Sequence, residues 1–301
     1  MRLLFIGIDC LGTHRFQTSL MPRLPIDAGD VVWGECYAPL PRTGPSWTSI
    51  LTGLPAEEHG VISLLGTARD GSKTFRDLVG KYIFEGLPGS VGVFNFPTTY
   101  PPRCRPGDWM ISGYPFDPAC CPADLLNGTD YIGDYAHLVV GLREAEGRSY
   151  FWPDEYDNDT AFAIMQLVER VHLRALRRLP GVEHLFVCTT YYDRVAHQCH
   201  KLGPAEQNGP LDDAAQFVAD WVGQVLDLFP ADTVVMVSDH GWSQQENWHS
   251  HAGFWCMWGG GVIERGQVDI KNHELRARVE AALAATDPQV EGRLRALGYV
   301  D

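Results

Sequence analysis

Residues Thr233–Gly241, TVVMVSDHG, decide the fold class of this chain. Val234, Val235, Met236 and Val237 are consecutive apolar residues, three of them β-branched, which is the pattern of a short strand buried on both faces. Ser238, Asp239 and His240 follow at once, and Gly241 permits a sharp turn. In an open parallel sheet, ligands bind outside the carboxyl ends of strands. A carboxylate and an imidazole delivered together at such an end suit a zinc-like divalent ion. The same residues also make an ordinary turn with a helix cap, so their meaning depends on whether other segments converge on them.

Working outward, the segment 211–229 predicts an amphipathic helix feeding this strand, with Ala214, Val218, Trp221, Val222, Val225 and Phe229 inward. Downstream, His249 and His251 precede an apolar run from Phe254 to Trp258, which predicts a loop that returns a histidine to the strand ends before one more strand. At the other end of the chain, Leu3 to Ile8 is an apolar run that closes on Asp9, repeating the same grammar. A third instance is Leu185 to Thr190, followed by Asp193 and His197; a spacing of four places both on one face of a helix. Ligand-type residues at three strand ends make coincidence a poor explanation.

Val31 to Tyr37 reads as a further strand, after which Pro39 and Pro41 keep the chain extended. Thr43, Gly44 and Pro45 then form a helix start with proline in the first turn, Trp47, Ile50 and Leu51 recur at helical spacing, and Gly53 with Pro55 ends the element. Thr43 has two readings. It is a favoured cap residue, and it is also a hydroxyl at a helix N-terminus, where free N–H groups and the dipole stabilise a phosphoryl group. Ser46 is the rival hydroxyl, but it lies inside the first turn.

Ser90 to Asn95 predicts another strand. The stretch 96–127 is rich in proline, aromatics and glycine, with little helical or strand period, and reads as part of an insertion over 96–157 that roofs a single domain of residues 1–301. Phe96, Tyr100, Trp109, Tyr114 and Phe116 there could pack on the apolar part of a substrate, or on one another. Asp157 to Thr160 offer caps for a long helix whose expected apolar stripe is Ile164, Leu167, Val168, Val171, Ala175 and Leu179. Two short helices split at Asp287-Pro288 are expected to end the chain.

Composition narrows the function classes. The formal charge of −14 argues against nucleic acid as a standing partner and fits a cation-binding site, although solubility alone favours such a charge. No stretch approaches ~18 consecutive apolar residues, so no membrane span is expected, and the start MRLLFIGIDCLG reads as a core strand and not a signal peptide. The eight cysteines form no CxxC pair, which predicts buried reduced thiols in a cytoplasmic protein.

Taken together, Asp9, Thr43, Asp193, His197, Asp239, His240 and one of His249 or His251 supply a hydroxyl, three carboxylates and three imidazoles. That is about what two divalent ions ~3.5–4 Å apart need to clamp a phosphoryl displacement. A serine relay of Ser238, Asp239 and His240 fails, because neighbours in sequence point apart.

The pattern resembles the alkaline phosphatase superfamily, in its type I phosphodiesterase/nucleotide pyrophosphatase branch. The matching pieces are GIDC at 7–10, P-x-T-x-P-x-W-T-S-x-x-T-G from Pro41 to Gly53, HG at 59–60, VFNFPTTYPP at 93–102, D-x-x-x-H at 193–197, SDHG at 238–241 and the ending RLRALGYV. The resemblance implies an α/β/α sandwich around a mainly parallel central sheet, two divalent metal ions, most commonly Zn2+ with Mn2+ as alternative, and a small-molecule phosphoester substrate. By the same resemblance Asp9, Asp239 and His240 would hold one ion, Asp193, His197 and a late histidine the other, and Thr43 would be the bridging nucleophile of a phosphodiesterase. The late histidine of the family stands in H-x-x-x-G, which His249 with Gly253 satisfies and His251 does not. Phosphomonoesterase or phosphonate hydrolase chemistry on the same metals, and an inactive binding protein on this fold, are the alternatives. The asparagine that usually follows the HG step is absent, Ser63, Leu64 and Leu65 standing there, so support for the phosphoryl oxygens passes to backbone N–H near Gly44 or to a bound ion.

Overall fold

Leu3–Ile8 (β1) is buried along its whole length because both of its faces are covered. Leu4, Ile6 and Ile8 join one core, and Leu3 and Phe5 the other. The computed structural model describes residues 1–63, 73–74, 78, 80–112, 119–125 and 157–286. Within them β1 lies in a ten-stranded sheet. The other principal strands are Val32–Tyr37 (β2), Val91–Phe94 (β3), Trp109–Ser112 (β4), Ala119–Cys121 (β5), His184–Thr189 (β6), Thr233–Val237 (β7) and Ala252–Gly259 (β8). Their order is β2-β8-β7-β1-β6-β3-β4-β5, with two short strands added along β2. The run β7-β1-β6-β3-β4 is parallel throughout; β8 opposes both its neighbours, and β5 opposes β4.

Helices cover both faces. On one, Thr43–Thr52 (α1) contributes Trp47, Ile50 and Leu51, and Leu275–Ala285 (α5) contributes Leu275, Val279 and Leu283. On the other, Asn158–Leu176 (α2) brings Met165 and Val168, and Asn208–Leu228 (α4) brings Val218, Trp221, Val222 and Val225. This is the α/β/α sandwich with a mainly parallel sheet. No helix among the described residues is long and apolar enough to cross a membrane.

Several local expectations change. Trp109–Ser112 and Ala119–Cys121 fall inside the stretch read as irregular, yet they extend the central sheet at its edge. Trp109–Ser112 is buried at every position, so four residues leave no alternating period to detect. Phe96 and Trp109 are accordingly core residues and not substrate contacts, and the Trp109 indole donates to the Pro180 carbonyl at 3.0 Å. Tyr114 and Phe116, most of 126–157 and the last expected helix lie outside the described residues. Thiol chemistry differs as well: Cys104 and Cys121 form a disulfide that ties the edge strand β5 to the loop after β3. The partners are 17 positions apart in sequence, and their pairing follows from the strand reversal, which no local cysteine spacing announces.

Helix α2 is capped as its sequence suggests, the Asp157 side chain accepting from the Thr160 N–H at 3.0 Å. Its buried face keeps Val168, Val171 and Ala175 of the expected stripe and departs from it at other positions. Leu167 is 43% exposed, whereas Glu169 and His172 are buried. Glu169 accepts from Arg194 at 2.7 Å and lies 3.3 Å from His172 Nδ1. Burial alone would raise the Glu169 pKa, but these two partners hold it below the ordinary carboxylate range. The helix therefore reaches its neighbour Tyr191–Gln198 (α3) through a buried ion pair, a polar contact that a hydrophobic period cannot reveal.

Gly7 shows how tightly α1 is seated. A Cβ at Gly7 would stand 2.8 Å from the far edge of Trp47, 2.9 Å from the Phe96 ring and 3.0 Å from Cys188 Sγ. Trp47 and Phe96 are fully buried and meet edge to face at 5.3 Å. Gly7→Ala should therefore cost about 1–3 kcal/mol through overpacking. Urea unfolding checks this, and an unchanged midpoint would mean the tryptophan has room to retreat.

Candidate metal centre

Register brings the distant pieces to one rim. Gly7 of β1 lies beside Cys188 of β6 and Val237 of β7, so the residues leaving these three strands emerge side by side. Asp9 is held there by its N–H bond to the Thr189 carbonyl, and Ser238 by its N–H bond to the Phe254 carbonyl. Asp193 and His197 follow β6 on α3, one helical turn apart. Because β8 runs antiparallel to β7, its first residues lie at the carboxyl end of β7. A small hairpin, Gly241–Ser243 with Trp248–Ser250, sets Trp242 opposite His249 and lands that histidine on the same rim.

Thr43 is the first residue of α1, and Arg42, not Thr43, occupies the cap position. The threonine hydroxyl is thus not spent on capping. Its Oγ1 lies 3.5 Å from His240 Nε2, and the residue is buried. Ser46 turns away, donating to the Leu40 carbonyl at 2.8 Å.

Around that hydroxyl the polar groups crowd. His240 Nε2 is 3.1 Å from Asp239 Oδ2 and 3.6 Å from Asp9 Oδ1. Asp193 Oδ1 is 3.2 Å from His249 Nε2 and 3.5 Å from His197 Nε2. The His197 and His249 Nε2 atoms are 2.8 Å apart, and the rings of His240 and His249 stack at 4.0 Å. His249 and His240 keep their other nitrogen on backbone carbonyls, of Pro41 at 3.1 Å and Gly241 at 3.3 Å. A carbonyl only accepts, so Nδ1 carries a proton, and in the neutral ring Nε2 is the nitrogen left with a lone pair for a cation. His251 is not part of this cluster: it is exposed, stacks on Tyr37 and contacts the Ala38 carbonyl at 2.7 Å.

Both oxygens of Asp9, both of Asp193 and Oδ2 of Asp239 are buried without a hydrogen-bond partner. Burial first, then the neighbouring carboxylates Asp239 and Asp193, push the Asp9 pKa well above its usual range, and Asp239 rises likewise, chiefly through burial. Burial also pushes Asp193 upward, but His197, His249 and His240 outweigh it and hold that group low. His240 and His197 are both lowered, mainly by burial, and so favour the neutral imidazole that can ligate. Buried carboxylates are tolerated when paired or coordinating a cation, and the same atoms group as candidate ligands in two overlapping sets, Asp9-Asp239-His240 and Cys10-Asp193-His240-His249. The donor set, oxygen and nitrogen, fits divalent ions of the zinc class.

Two features of the site were not read from sequence. Cys10 stands inside the second ligand set, where its neighbourhood with Asp9 was the one available signal. Trp242 and the half-exposed Trp248 frame His197 and His249, Trp248 stacking on His249 at 5.1 Å. The HG step at 59–60 has a supporting part: His59 accepts from the Val61 N–H at 3.0 Å and its Nε2 meets Ser49 of α1 at 3.0 Å. Burial lowers its pKa to about 4, so it remains neutral.

Solved structures share this fold. A 2-O GAG sulfatase superposes with a TM-score of 0.54 at 11% identity, over 95% of this chain and 71% of the other. The alkaline phosphatase from the Antarctic bacterium TAB5 gives 0.50 at 10% identity, over 95% and 99%. Ps i-CgsB, solved with k-i-k-neocarrahexaose, gives 0.53 at 12% identity, over 97% and 73%. A search of curated proteins returned no match. The family model described as type I phosphodiesterase / nucleotide pyrophosphatase matches residues 3–258, a span that holds Thr43 and all the carboxylates and imidazoles of the rim. The chain belongs to that family and is a hydrolase of phosphoester or phosphoanhydride bonds.

Proposed function

We propose that the chain is a metal-dependent phosphodiesterase or nucleotide pyrophosphatase that works through a covalent phosphothreonine at Thr43. The observation that carries this reading is a buried threonine hydroxyl 3.5 Å from His240, at a helix start, beside three carboxylates with five buried oxygens that accept no hydrogen bond. Asp9, Asp239 and His240, with Thr43, would hold one divalent ion, and Asp193, His197 and His249 the other, zinc or manganese being the candidates. When bound, such ions ionise a hydroxyl nucleophile and neutralise charge on the entering and departing oxygens.

Thr43 Oγ1 attacks phosphorus in line, its bond to phosphorus forming as the bond to the departing alcohol or phosphate breaks. Water then cleaves the threonine ester and returns the hydroxyl. The N–H groups of Thr43 and Gly44 have no carbonyl one turn earlier within the helix, which leaves them available to phosphoryl oxygens in place of the missing asparagine side chain. Asp9 and Asp239 stay fixed by the strand ladder and by the turn, so the nucleophile meets a preorganised negative wall that only cations make productive.

The test is a rate comparison on bis(p-nitrophenyl) phosphate, p-nitrophenyl phosphate and a dinucleotide, with zinc or manganese added after chelation. Metal-dependent turnover that favours the diesters is expected. Faster monoester turnover would replace the reading by a phosphomonoesterase. Metal binding without any hydrolysis would leave a binding protein. In the same assay His249→Ala should lose metal and activity, while His251→Ala, whose ring lies outside the cluster, should retain both.

A further inference from the structure

Cys10 has no part in the steps above, yet it sits inside the centre. Its side chain is fully buried, and its Sγ with ligand atoms of Asp193, His240 and His249 forms a set in which all atoms lie within 4.8 Å of one another. Two independent observations give this placement meaning. First, Cys10 has φ of 68°, in the left-handed region that glycine occupies freely and a residue with a Cβ does not. Its N–H donates to Asp239 Oδ1 at 3.2 Å, which locks that turn onto a rim carboxylate. Second, the Asp193 carboxylate in the same set is buried, with neither oxygen in a hydrogen bond. An unusual backbone conformation at a functional rim is informative when a side chain profits from it.

We propose that Cys10 is a thiolate ligand of the ion held by Asp193 and His249, an inference that rests on the two-metal reading. The centre is then a mixed nitrogen, oxygen and sulfur site. Sulfur donors select soft ions, so zinc and cadmium bind there in preference to manganese or magnesium. On binding, the S–H bond gives its proton to solvent as the sulfur–metal bond forms, so occupancy releases an additional proton that a purely carboxylate-imidazole site does not. The other buried free thiols, Cys36, Cys188, Cys199 and Cys256, belong to neither candidate ligand set.

Chelated protein titrated with Co2+ or Cd2+ tests this without reference to activity. A near-ultraviolet thiolate-to-metal charge-transfer band is expected, reaching its endpoint at one sulfur-ligated ion per chain. Cys10→Ser should lose the band, still bind metal, and weaken cadmium by at least about tenfold relative to manganese. Cys10→Gly, which suits the left-handed backbone, should lose the band too and covers the case in which the serine variant folds poorly. Metal binding at two per chain with no band, or a band that survives in both variants, overturns the role of Cys10 and leaves the phosphodiesterase reading standing. Failure of the chelated chain to bind either metal overturns both.

Discussion

Thr43→Ala should reduce turnover of an aryl phosphodiester by at least about 10³-fold while leaving bound metal close to its original stoichiometry, as expected when a nucleophile is deleted from an otherwise intact site. The two readouts separate because the carboxylates and imidazoles come from other strand ends, and the threonine adds one hydroxyl to them. Thr43→Ser should retain a measurable rate, since it preserves an oxygen at the first position of the helix. Quenching in acid during steady turnover should trap the aryl phosphoryl group, with its second ester bond intact, on the wild-type chain and none on Thr43→Ala. Undiminished hydrolysis by the alanine variant would remove Thr43 from the chemistry and favour direct attack by water. Ser46 gives an internal control: its hydroxyl is committed to the Leu40 carbonyl, so Ser46→Ala should affect helix stability more than the chemical step.

The strand-end grammar was legible because each central strand is short, apolar on both faces and followed at once by polar residues. Register did the remaining work. Once β1, β6 and β7 pair in parallel, Asp9, Asp193 and Asp239 converge on one edge of the sheet. The choice between His249 and His251 could not come from periodicity, since two residues apart in a hairpin exit differ only in which way the chain bends. In the structure one histidine faces Trp242 and the site, and the other meets Tyr37. The polar face of α2 was hidden for a different reason: Glu169 and His172 look like solvent-facing residues until Arg194 is placed against them. Strand β4 and the edge strand β5 carry too little pattern, as four buried residues and as three residues after a loop, to be set apart from an irregular segment.

The second large effect has a sign that ordinary core mutations lack. Asp9 and Asp239 have folded-state pKa values raised by burial first and then by neighbouring carboxylates, Asp239 and Asp193 acting on Asp9 and Asp193 on Asp239, so their contribution to stability is fully present below the unfolded carboxylate pKa and is lost as pH rises through the raised folded value. At neutral pH the metal-free protein therefore carries a penalty that cations bound at the proposed centre would relieve. Asp9→Asn removes a buried charge while keeping its shape, and should raise the melting temperature of the chelated protein at pH 7 by an amount worth about 1–3 kcal/mol. The same substitution should abolish the stabilisation that added zinc gives the wild type, because a ligand has been lost. Asp193 is the contrast. Its folded pKa is lowered, so its contribution is present above the unfolded value and lost as pH falls through the folded one, and Asp193→Asn should destabilise the chelated protein. Thermal melts of both variants, chelated and zinc-loaded, decide the matter. If Asp9→Asn melted below wild type without metal, the carboxylate would be satisfied by some partner within the fold, and the argument that these oxygens await cations would fail.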